Sequence, residues 1–433
     1  MTNDTFIHLD VAVIGGGPAG ISACLELLKS AKLNIALFEM DTELGGMPRS
    51  CHIGFGMRDR KRFYSGQAYA RKLDKLIRKK DIHIYTESTV TSIEPGPSGG
   101  VHRIDVINKQ GLKSYESRFV VLSTGCCESS RGARSIPGTR PAGIYTTGEL
   151  QQLVNFHHLK PGRRAIIVGS ENVALSSVLT LNRAGTNIVG MVEEDPELKT
   201  YSFAARMMAL FYGFPIYKNT LVNTILGKQR VEGVELTTRG SENSFQIECD
   251  SVIVTGNFRP ITMLIDNTAI EQDPLTRGPV VDTNLMTSIP GIFAAGNLLR
   301  GADMNDLCAL EGRLAARGIL KMMQSSKLEG AHPIILRAEP PIRYVVPQKI
   351  VPNQLYSPVW SWMSPGVSIQ LEHTVEKPVI EAWSGDEKIW RGSFSKIYAN
   401  TRTPVPIRKF DWNRVDPQKE IILKLMTSDS KSY

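Results

Sequence analysis

A short glycine-rich turn near the start of the chain carries the residues best suited to bind a charged ligand. Gly15, Gly17 and Gly20 follow the pattern G-x-G-x-x-G between an apolar strand and a helix. The first glycine permits a tight turn, the second lets the backbone approach a pyrophosphate, and the third lets the helix pack on the strand. Glu39 ends the next strand, where its carboxylate can accept hydrogen bonds from a ribose diol. The spacing predicts that this turn binds a dinucleotide, with the pyrophosphate at the helix N-terminus.

A second turn of the same kind, at residues 168–177, departs from this pattern. Gly169 is present, but Glu171 stands at the second glycine position and Ala174 at the third. A carboxylate ~4 Å from one phosphate charge would cost about 4 kcal/mol at an effective dielectric constant of about 20. Ala174 is the milder change, because G-x-G-x-x-A turns exist. We therefore expect nicotinamide dinucleotide binding to be lost, whereas a surviving site would prefer NAD to NADP because Glu193 stands at the ribose position without a neighbouring Arg.

The elements that must position these residues are two β-α-β units, at residues 8–39 and 163–193. Two such units, each followed by short strands, predict an α/β fold with two Rossmann-like dinucleotide-binding domains. Beyond about residue 330 the sequence is rich in Pro, Trp and β-branched residues, which predicts a small β-rich C-terminal domain with a hairpin at Gly385-Asp386. The expected boundaries are 1–155 with 272–330 for the first nucleotide-binding domain, 156–271 for the second and 331–433 for the C-terminal domain.

Further motifs indicate which dinucleotide the first turn would bind. ELGGMP follows Glu39, a Thr-Gly pair ends the strand VVLSTG, and GIFAAGN lies far downstream. With the first turn, they resemble the FAD-dependent pyridine nucleotide-disulfide oxidoreductase superfamily over roughly residues 8–325. The resemblance implies a glutathione-reductase-like pair of nucleotide-binding domains, the first of which binds FAD. It assigns to the FAD site Gly15, Gly17, Pro18, Ala19, Gly20, Glu39, Gly45, Gly46, Met47, Val90, Thr124, Gly125, Gly296 and Asn297.

The cysteines that a disulfide reductase of this superfamily needs are missing. Cys51 stands alone where a cysteine pair would follow the Gly-Gly motif, and the second domain has no C-x-x-C. We therefore expect no disulfide reductase chemistry. The six cysteines are scattered, which predicts neither a metal site nor an iron–sulfur cluster. Cys126 and Cys127, after the flavin-side Thr-Gly, are expected to be two small buried thiols rather than a disulfide.

The catalytic residues stay unknown at this stage, and four residues are candidates. Cys51 and His52 either form a thiolate–imidazole couple or, as we expect, a buried thiol beside a hydrogen-bonded imidazole. Arg58 could hold a substrate carboxylate bidentately, although most of its basic cluster is expected at the surface. Glu311 either lies near the flavin ring or is an exposed helical acid.

The run GCCESSRGARSIPGTRPAGI narrows the resemblance to one branch of the superfamily. That branch includes the FAD- and NAD-domain subunits of opine oxidase, hydroxyproline dehydrogenase and hydrogen cyanide synthase, which work beside a second flavoprotein that oxidises an amino or imino acid. It implies an FAD-dependent subunit of an amine or amino-acid dehydrogenase-type complex, with an electron acceptor other than NAD. Two alternatives stay open: a self-contained NADH-dependent flavoprotein reductase of a small acceptor, and a non-catalytic FAD-binding assembly module.

Composition and charge limit the kinds of partner that the chain is expected to bind. The net charge is +8, and eleven Lys and Arg stand against two Asp between Arg49 and Lys80. We interpret this as a solvated basic face, or as attraction for an anionic substrate or acidic protein, and expect no nucleic acid. No apolar run reaches the ~18 residues of a transmembrane segment, and we expect a cytoplasmic protein. The expected partners are a small-molecule substrate, such as an amino or imino acid, and a second flavoprotein, an electron-acceptor protein or another copy of the chain.

One apolar segment could take part in association with another protein chain. Residues 200–217 are apolar on most sides, with Met, Leu, Phe and Tyr throughout 207–212. We expect a helix buried in the core. The alternative is a subunit interface, which is typically rich in aromatic residues and Met.

Overall fold

The computed structural model describes residues 6–30, 32–97, 100–200, 202–324, 333–352, 367–399 and 401–426. The fold is α/β, with two Rossmann-like sheets and a β-rich C-terminal region, as the sequence predicts. The domain boundaries given above stay predictions. Within the described residues, no helix combines the length and the apolar character required to span a membrane.

The first nucleotide-binding region contains, in chain order, β1 (Ile7–Ile14), α1 (Pro18–Ser30), β2 (Ile35–Phe38), β3 (Gly54–Phe55), α2 (Met57–Arg60), β4 (Tyr64–Ser65), α3 (Gly66–Ile77), β5 (His83–Tyr85), β6 (Thr89–Glu94), β7 (His102–Asn108), β8 (Gly111–Leu122), β9 (Cys126–Glu128), β10 (Ile144–Thr146) and α4 (Thr147–Asn155). Its main sheet has the order β5-β2-β1-β8-β7-β6. The central strand β1 pairs in parallel with β2 and β8, and its residues Val11 to Val13 are fully buried. Burial on both faces is typical of a parallel strand covered by helices.

The second region contains β11 (Arg164–Val168), α5 (Asn172–Arg183), β12 (Asn187–Val192), α6 (Ser202–Tyr212), β13 (Ile216–Tyr217), β14 (Thr220–Leu226), β15 (Gly233–Thr238), β16 (Ser244–Glu248), β17 (Ser251–Val254) and β18 (Phe258–Pro260). Its parallel sheet has the order β10-β17-β11-β12-β13, and β14, β15 and β16 form a separate antiparallel sheet. The short strands β9 and β18 pair antiparallel and join the two regions.

The chain then returns to the first sheet through β19 (Ile292–Ala294), which pairs with β8, and α7 (Asn305–Gln324). Helix α7 packs tightly on α1. The two helices are so close that a Cβ on Gly312 would collide with the backbone of Ala19. The close approach brings the late motif GIFAAGN beside the first glycine turn. Two turns separated by about 275 residues therefore form one site.

The C-terminal region is all β, with β20 (Ile334–Ala338), β21 (Ile342–Val346), β22 (Lys349–Ile350), β23 (Ser368–Leu371), β24 (Val375–Glu376), β25 (Val379–Ser384), β26 (Glu387–Ser393), β27 (Lys396–Ile397), β28 (Thr403–Pro404) and β29 (Ile421–Met426). Strands β25 and β26 form the hairpin predicted at Gly385-Asp386. The region packs on the first one, where the backbone N–H of Gln348 donates to the carbonyl of Val281 at 3.1 Å.

Helix α6 is not the core helix that the sequence predicts. Phe203, Leu210 and Phe211 are 79%, 78% and 81% exposed, and only Ala205 and Ala209 are buried within the helix. The helix packs beside α5 and buries its two alanines, whereas Phe203 and Phe211 face outward. The apolar composition correctly predicted a helix, but the pattern of small residues marks the buried face.

Candidate functional site

The first glycine turn has the backbone that an approaching pyrophosphate requires. Gly15 has a φ of 104°, and a Cβ there would collide with the carbonyl of Ser123. A Cβ on Gly20 would collide with the carbonyl of Gly15, so the helix lies against the turn. Among the described residues other than its chain neighbours, Gly17 has no atom within 4 Å of its ideal Cβ position, which leaves open space beside the first turn of α1. The helix N-terminus therefore presents its backbone N–H groups to a space that a phosphate can enter.

Glu39 lies at the end of β2, next to this space. Its carboxylate accepts hydrogen bonds from the backbone N–H groups of Gly16, at 2.7 Å, and Asp41, at 2.9 Å. These donors fix the carboxylate orientation and leave further lone pairs for a diol, because a carboxylate has about four acceptor positions.

The flavin-side glycines close the other end of the turn. Gly45 and Gly46 have φ values of 118° and 59°, and a Cβ on Gly46 would lie 3.0 Å from the Cα of Gly17. The Thr124 hydroxyl donates to the carbonyl of Ile261 at 2.8 Å, which ties the end of β8 to the second region. Glycine is required at positions 45 and 46 because other residues rarely adopt positive φ.

Asn297 holds the late motif together. Its side-chain oxygen accepts hydrogen bonds from the backbone N–H of Asp303, at 2.9 Å, and the thiol of Cys308, at 3.1 Å. The preceding Gly296 has a φ of 77° and donates its N–H to the carboxylate of Glu311 at 3.1 Å. Hydrogen bonds to Asn297 and Glu311 thus stabilise the loop between β19 and α7.

One cavity of about 1590 Å³ runs along these motifs. Single-ligand pockets commonly measure roughly 300–1,000 Å³, so this cavity has room for a dinucleotide and a second molecule. The open space beside Gly17 and the glycine cradle fit FAD, and the individual assignments stay predictions. Of the predicted residues, the following line the cavity: Gly15, Gly17, Pro18, Ala19, Glu39, Gly46, Met47, Val90, Thr124, Gly125, Gly296 and Asn297. Gly20 and Gly45 instead permit close packing next to it.

The Glu171 side chain turns inward at the second turn. Its carboxylate accepts a hydrogen bond from the Thr255 hydroxyl at 2.9 Å and lies so close to Gly256 that a Cβ there would collide with it. Burial raises the pKa of Glu171, while Lys199 and Arg134 oppose the shift. The carboxylate therefore lies beside the turn that would receive a diphosphate, instead of swinging out to relieve the repulsion.

Lys199 lies beside Glu193, the acid at the end of β12. Glu193 is buried and accepts hydrogen bonds from the Ser170 hydroxyl and the backbone N–H of Asp195, the latter at 3.0 Å. The Lys199 ammonium lies 3.1 Å from the Glu193 carboxylate. Burial alone would lower the pKa of Lys199, but the neighbouring carboxylates raise it on balance. The expected preference for NAD over NADP rested on the absence of an Arg beside Glu193, but the structure places a different cation, Lys199, there.

Cys51 and His52 face the second region rather than each other. The Cys51 sulfur lies 3.7 Å from the Ser176 hydroxyl, and the His52 Nε2 lies 2.8 Å from the Arg183 guanidinium. Burial raises the pKa of Cys51, whereas burial and Arg183 lower the pKa of His52. Both groups are therefore uncharged near neutral pH, and the geometry does not form a thiolate–imidazole couple.

The other two candidates are held by ion pairs. Arg58 lies 3.2 Å from the buried carboxylate of Asp306 and also lines the cavity. Glu311 is buried and pairs with the buried Arg300. Burial raises the pKa of Glu311, and Arg300 opposes the shift. The alternative that Glu311 is an exposed helical acid is wrong, because its carboxylate instead supports the turn at Gly296.

The vicinal cysteines differ in environment. Cys127 is exposed and Cys126 is half-buried, so the prediction of two buried thiols is wrong for Cys127. Both belong to β9, and neighbouring residues of a strand point to opposite faces. Glu128, which sequence reasoning missed, accepts hydrogen bonds from the N–H groups of Gly148, at 2.7 Å, and Gly256, at 3.1 Å. The one sequence feature that pointed to a role for Glu128 was its position three residues after the Thr124-Gly125 pair.

Comparison with known proteins places these features in a family context. The family model for pyridine nucleotide-disulphide oxidoreductase matches residues 9–316. The small chain of glutamate synthase [NADPH] from Escherichia coli (strain K12) is 25% identical over 348 residues, which cover 72% of this chain and 68% of the relative. A subunit of alkyl hydroperoxide reductase from Pseudomonas putida is 23% identical over 295 residues, 67% of this chain and 53% of the relative. The match thus spans between about half and two thirds of these relatives.

Solved structures share the fold. Thioredoxin reductase from T. acidophilum superposes with a TM-score of 0.62 at 21% identity, covering 73% of this chain and 99% of that chain. L-proline dehydrogenase from P. horikoshii gives 0.52 at 22% identity, covering 73% of this chain and 56% of that chain. The family match covers most of the chain and includes both glycine turns and the late GIFAAGN motif. The chain belongs to the pyridine nucleotide-disulphide oxidoreductase family, whose members are flavin-dependent oxidoreductases.

Proposed function

We propose that this chain is an FAD-dependent subunit of an amine or amino-acid dehydrogenase-type complex, and that its electrons leave to an acceptor other than NAD. The observation that carries the proposal is the second turn, where the Glu171 carboxylate lies against Gly256. Lys199 already pairs with Glu193, the acid that would bind a ribose. An anionic dinucleotide would therefore meet a carboxylate where backbone N–H groups should receive it.

The substrate class is supported by resemblance. The run from Gly125 to Ile144 resembles the subunits of enzymes that oxidise amino or imino acids. L-proline dehydrogenase is among the structures with the same fold. The C–H bond on the carbon next to the nitrogen of an amine or amino acid can donate a hydride to a flavin, which leaves an imine.

A protein partner is supported by two features. The relatives include proteins named as the small chain of glutamate synthase and as a subunit of alkyl hydroperoxide reductase. The exposed residues Phe203, Leu210 and Phe211 of α6 form an apolar surface that a protein acceptor would cover. A second flavoprotein or an electron-acceptor protein would fulfil this role.

FAD, when bound, supplies the capacity to accept a hydride. The chain's own residues bind and orient it: the turn at Gly15 to Gly20 receives the pyrophosphate, and Glu39 receives the ribose. Thr124, Gly125 and Asn297 line the same cavity and would hold the flavin part of the cofactor. Arg58 lines the same cavity, and because Asp306 holds its guanidinium, only its remaining N–H donors could contact an anionic substrate.

A disulfide reductase is not proposed, although thioredoxin reductase shares the fold. The Cys51 sulfur is hydrogen-bonded to Ser176 rather than placed beside a second sulfur. A dithiol mechanism needs two thiols that can form a disulfide, with sulfurs about 2 Å apart in the oxidised form.

One observation favours the NADH-dependent reductase as the second candidate. Asn172 and Val173, at the start of α5, line the same cavity as Thr124 and Gly125. The two sets of residues thus share one continuous cavity, which hydride transfer from a nicotinamide at the second turn would require. The non-catalytic assembly module is the remaining alternative, and a bound flavin that no donor reduces would favour it.

The test is anaerobic reduction of the FAD-loaded protein. NADH, NADPH and a panel of amino and imino acids are added separately, and the flavin absorbance is followed. We expect reduction by an amino or imino acid and none by either nicotinamide. Rapid bleaching by NADH would refute the proposal in favour of the second candidate, and dithionite serves as the control for a reducible flavin.

A further inference from the structure

One surface of the first region concentrates much of the positive charge of the chain. It is formed by the loop between β3 and β4, by the outward side of α3 and by the residues that follow this helix. Seven exposed cations make up this surface, here called the basic face: Lys61, Arg62, Arg71, Lys72, Lys75, Lys79 and Lys80. Within the described part of the chain, none of them forms an ion pair with a carboxylate.

The acids of the same segment do not neutralise the basic face. Asp59 is buried and pairs with Arg60 at 3.0 Å, and Asp74 pairs with Arg78 at 2.6 Å. Both partners are cations outside the basic face. Within residues 49–81, Asp81 is the one carboxylate that has no ion pair to a described cation, and it leaves a surplus of six positive charges.

The helices that pack against this surface add no unpaired acid. Helix α1 contacts α3, and its Glu26 pairs with Lys29 at 2.8 Å and with Arg317 at 2.7 Å. Helix α7 contacts α2, and its Asp306 pairs with Arg58 at 3.2 Å. The potential outside the basic face is therefore positive when its neighbours are counted as well.

Helix α3 arranges its cations along the side that faces away from the core. The helix buries Tyr69 and Leu73 on its inner side. Residues three or four positions apart are neighbours on a helix surface, so Lys75 lies beside both Arg71 and Lys72. The 12 residues of α3 extend over about 18 Å, and this side of the helix forms a convex strip of positive charge.

The loop between β3 and β4 is joined to this helix. The ring of Phe55 in β3 lies 6.0 Å from the ring of Tyr69 in α3, and both side chains are buried. The Ser65 hydroxyl accepts a hydrogen bond from the backbone N–H of Ala68 at 3.4 Å, at the start of the helix. The loop and the helix therefore form one continuous surface.

The loop adds two apolar side chains to the basic face. Met57 is 53% exposed and Phe63 is 68% exposed. The carbonyl of Gly56 accepts a hydrogen bond from the backbone N–H of Arg62 at 3.4 Å, which helps to close the loop. Phe63 thus follows Lys61 and Arg62 directly and faces solvent with them.

The composition of the basic face favours a membrane surface over a protein or a nucleic acid as its partner. Five of the seven cations are lysines, and lysine is depleted in protein–protein interfaces. Clusters of four to eight Lys and Arg on a helix, with exposed aromatic side chains beside them, are typical of segments that bind anionic lipid surfaces. Single-stranded nucleic acids bind in grooves, whereas the outward side of α3 is convex.

We propose that the basic face binds the surface of an anionic phospholipid membrane, with Phe63 and Met57 entering the headgroup layer. The ammonium and guanidinium groups pair with the lipid phosphates, and the two apolar side chains leave water. The inference goes beyond the proposed function and does not depend on it, because membrane attachment is compatible with any donor and any acceptor.

Cosedimentation of the FAD-loaded protein with vesicles tests the inference without turnover. The vesicles contain equal parts of phosphatidylcholine and phosphatidylglycerol, or phosphatidylcholine alone. We expect binding to the anionic vesicles and none to the neutral ones. Raising the salt from about 0.1 M to about 1 M shortens the Debye length from about 10 Å to about 3 Å, and this change is expected to release the protein.

Two variants separate the electrostatic from the apolar contribution. The triple variant Arg71→Gln, Lys72→Gln, Lys75→Gln is expected to weaken binding roughly hundredfold, since each cation near an anionic membrane contributes about fivefold. Phe63→Ser is expected to weaken binding roughly tenfold, since it removes the burial of a Phe side chain. The salt dependence of Phe63→Ser is expected to equal that of the wild-type protein, because the substitution changes no charge.

The matched control removes three exposed cations outside the basic face. Lys113, Lys228 and Lys409 are exposed and form no ion pair with a described carboxylate. Replacing all three with Gln gives the same net charge as the first triple variant. This control is expected to bind the anionic vesicles like the wild-type protein.

The outcomes decide whether a membrane is the partner. No binding to the anionic vesicles, or an equal loss in the two triple variants, would overturn the inference. Soluble polyglutamate and a DNA duplex of random sequence are tested as competitors, and tighter binding of either one than of the vesicles would assign the basic face to another class of partner and also overturn it. Weaker binding of both competitors, with the loss confined to Phe63→Ser and the first triple variant, would support it.

Discussion

Replacing Glu171 with glycine is expected to open the second turn to a dinucleotide. The Glu171 carboxylate contacts Thr255 and Gly256, next to the first turn of α5. A pyrophosphate on that helix N-terminus would lie roughly 4–6 Å away, where two unit charges repel by about 3 to 4 kcal/mol at an effective dielectric constant of 20. Because about 1.4 kcal/mol is a tenfold change, affinity is expected to rise roughly hundred- to thousandfold.

The assay is the binding of ADP-ribose, followed by anaerobic flavin reduction with NADH. Glu194→Gly is the matched control, because Glu194 also lines the cavity but is exposed and pairs with Arg239. This control is expected to leave the affinity unchanged. Wild-type protein that binds ADP-ribose as tightly as Glu171→Gly would show that the carboxylate does not block the turn.

The same reasoning predicts a pH dependence. Burial raises the pKa of Glu171, Lys199 and Arg134 lower it, and Glu193 raises it. Glu128, whose own pKa is raised by burial, also faces this carboxyl group. As the pH falls through this raised pKa, protonation removes the repelling charge. ADP-ribose affinity of the wild-type protein is therefore expected to rise on acidification, and Glu171→Gly is expected to lack this slope.

Other substitutions test the remaining geometry. Gly17→Ala is expected to keep the melting temperature of the apoprotein but to lose FAD, whereas Gly20→Ala is expected to destabilise the apoprotein itself by roughly 1–3 kcal/mol, because only the latter Cβ meets backbone; melting curves and FAD content distinguish them. Cys51→Ser is expected to preserve donor-dependent flavin reduction, and its loss would revive a role for the thiol in the chemistry. Glu311→Gln is expected to lower the free energy of unfolding in urea by roughly 1.5–3 kcal/mol, since it removes one charged partner of the buried Arg300 and leaves the other, Asp303, in place; an unchanged urea midpoint would contradict this. Phe211→Ser is expected to leave the melting temperature unchanged and to weaken association with a partner, as measured by sedimentation.

Local patterns made much of the fold predictable. The glycine spacing and apolar strands at residues 8–39 and 163–193 indicated both parallel sheets, because each β-α-β unit is encoded within about 30 residues. The Gly-Asp dipeptide likewise indicated the hairpin of β25 and β26. Glu171 was recognisable as a disruption because the pattern around it is so regular.

What the sequence did not reveal depends on contacts between distant segments. Lys199 lies in a loop, and nothing in the sequence around it indicates that its ammonium pairs with Glu193. Glu311 resembles any helical acid until α7 is packed beside Arg300. Arg343 lines the cavity only because the C-terminal region docks beside it, and the β-bulge at this residue depends on the pairing of β21 with β23. The prediction for helix α6 was wrong because its composition is apolar, whereas the residues that it buries are two alanines.

The loop at residues 50–52 has a mechanical consequence. The Asn155 amide donates to the Ser50 carbonyl at 2.7 Å, and Cys51 and His52 contact α5. These contacts clamp the first region to the second one, so a swivelling cycle between the two would have to break all of them together. For the function proposed above, we therefore expect electron transfer to an acceptor to proceed without such a rotation.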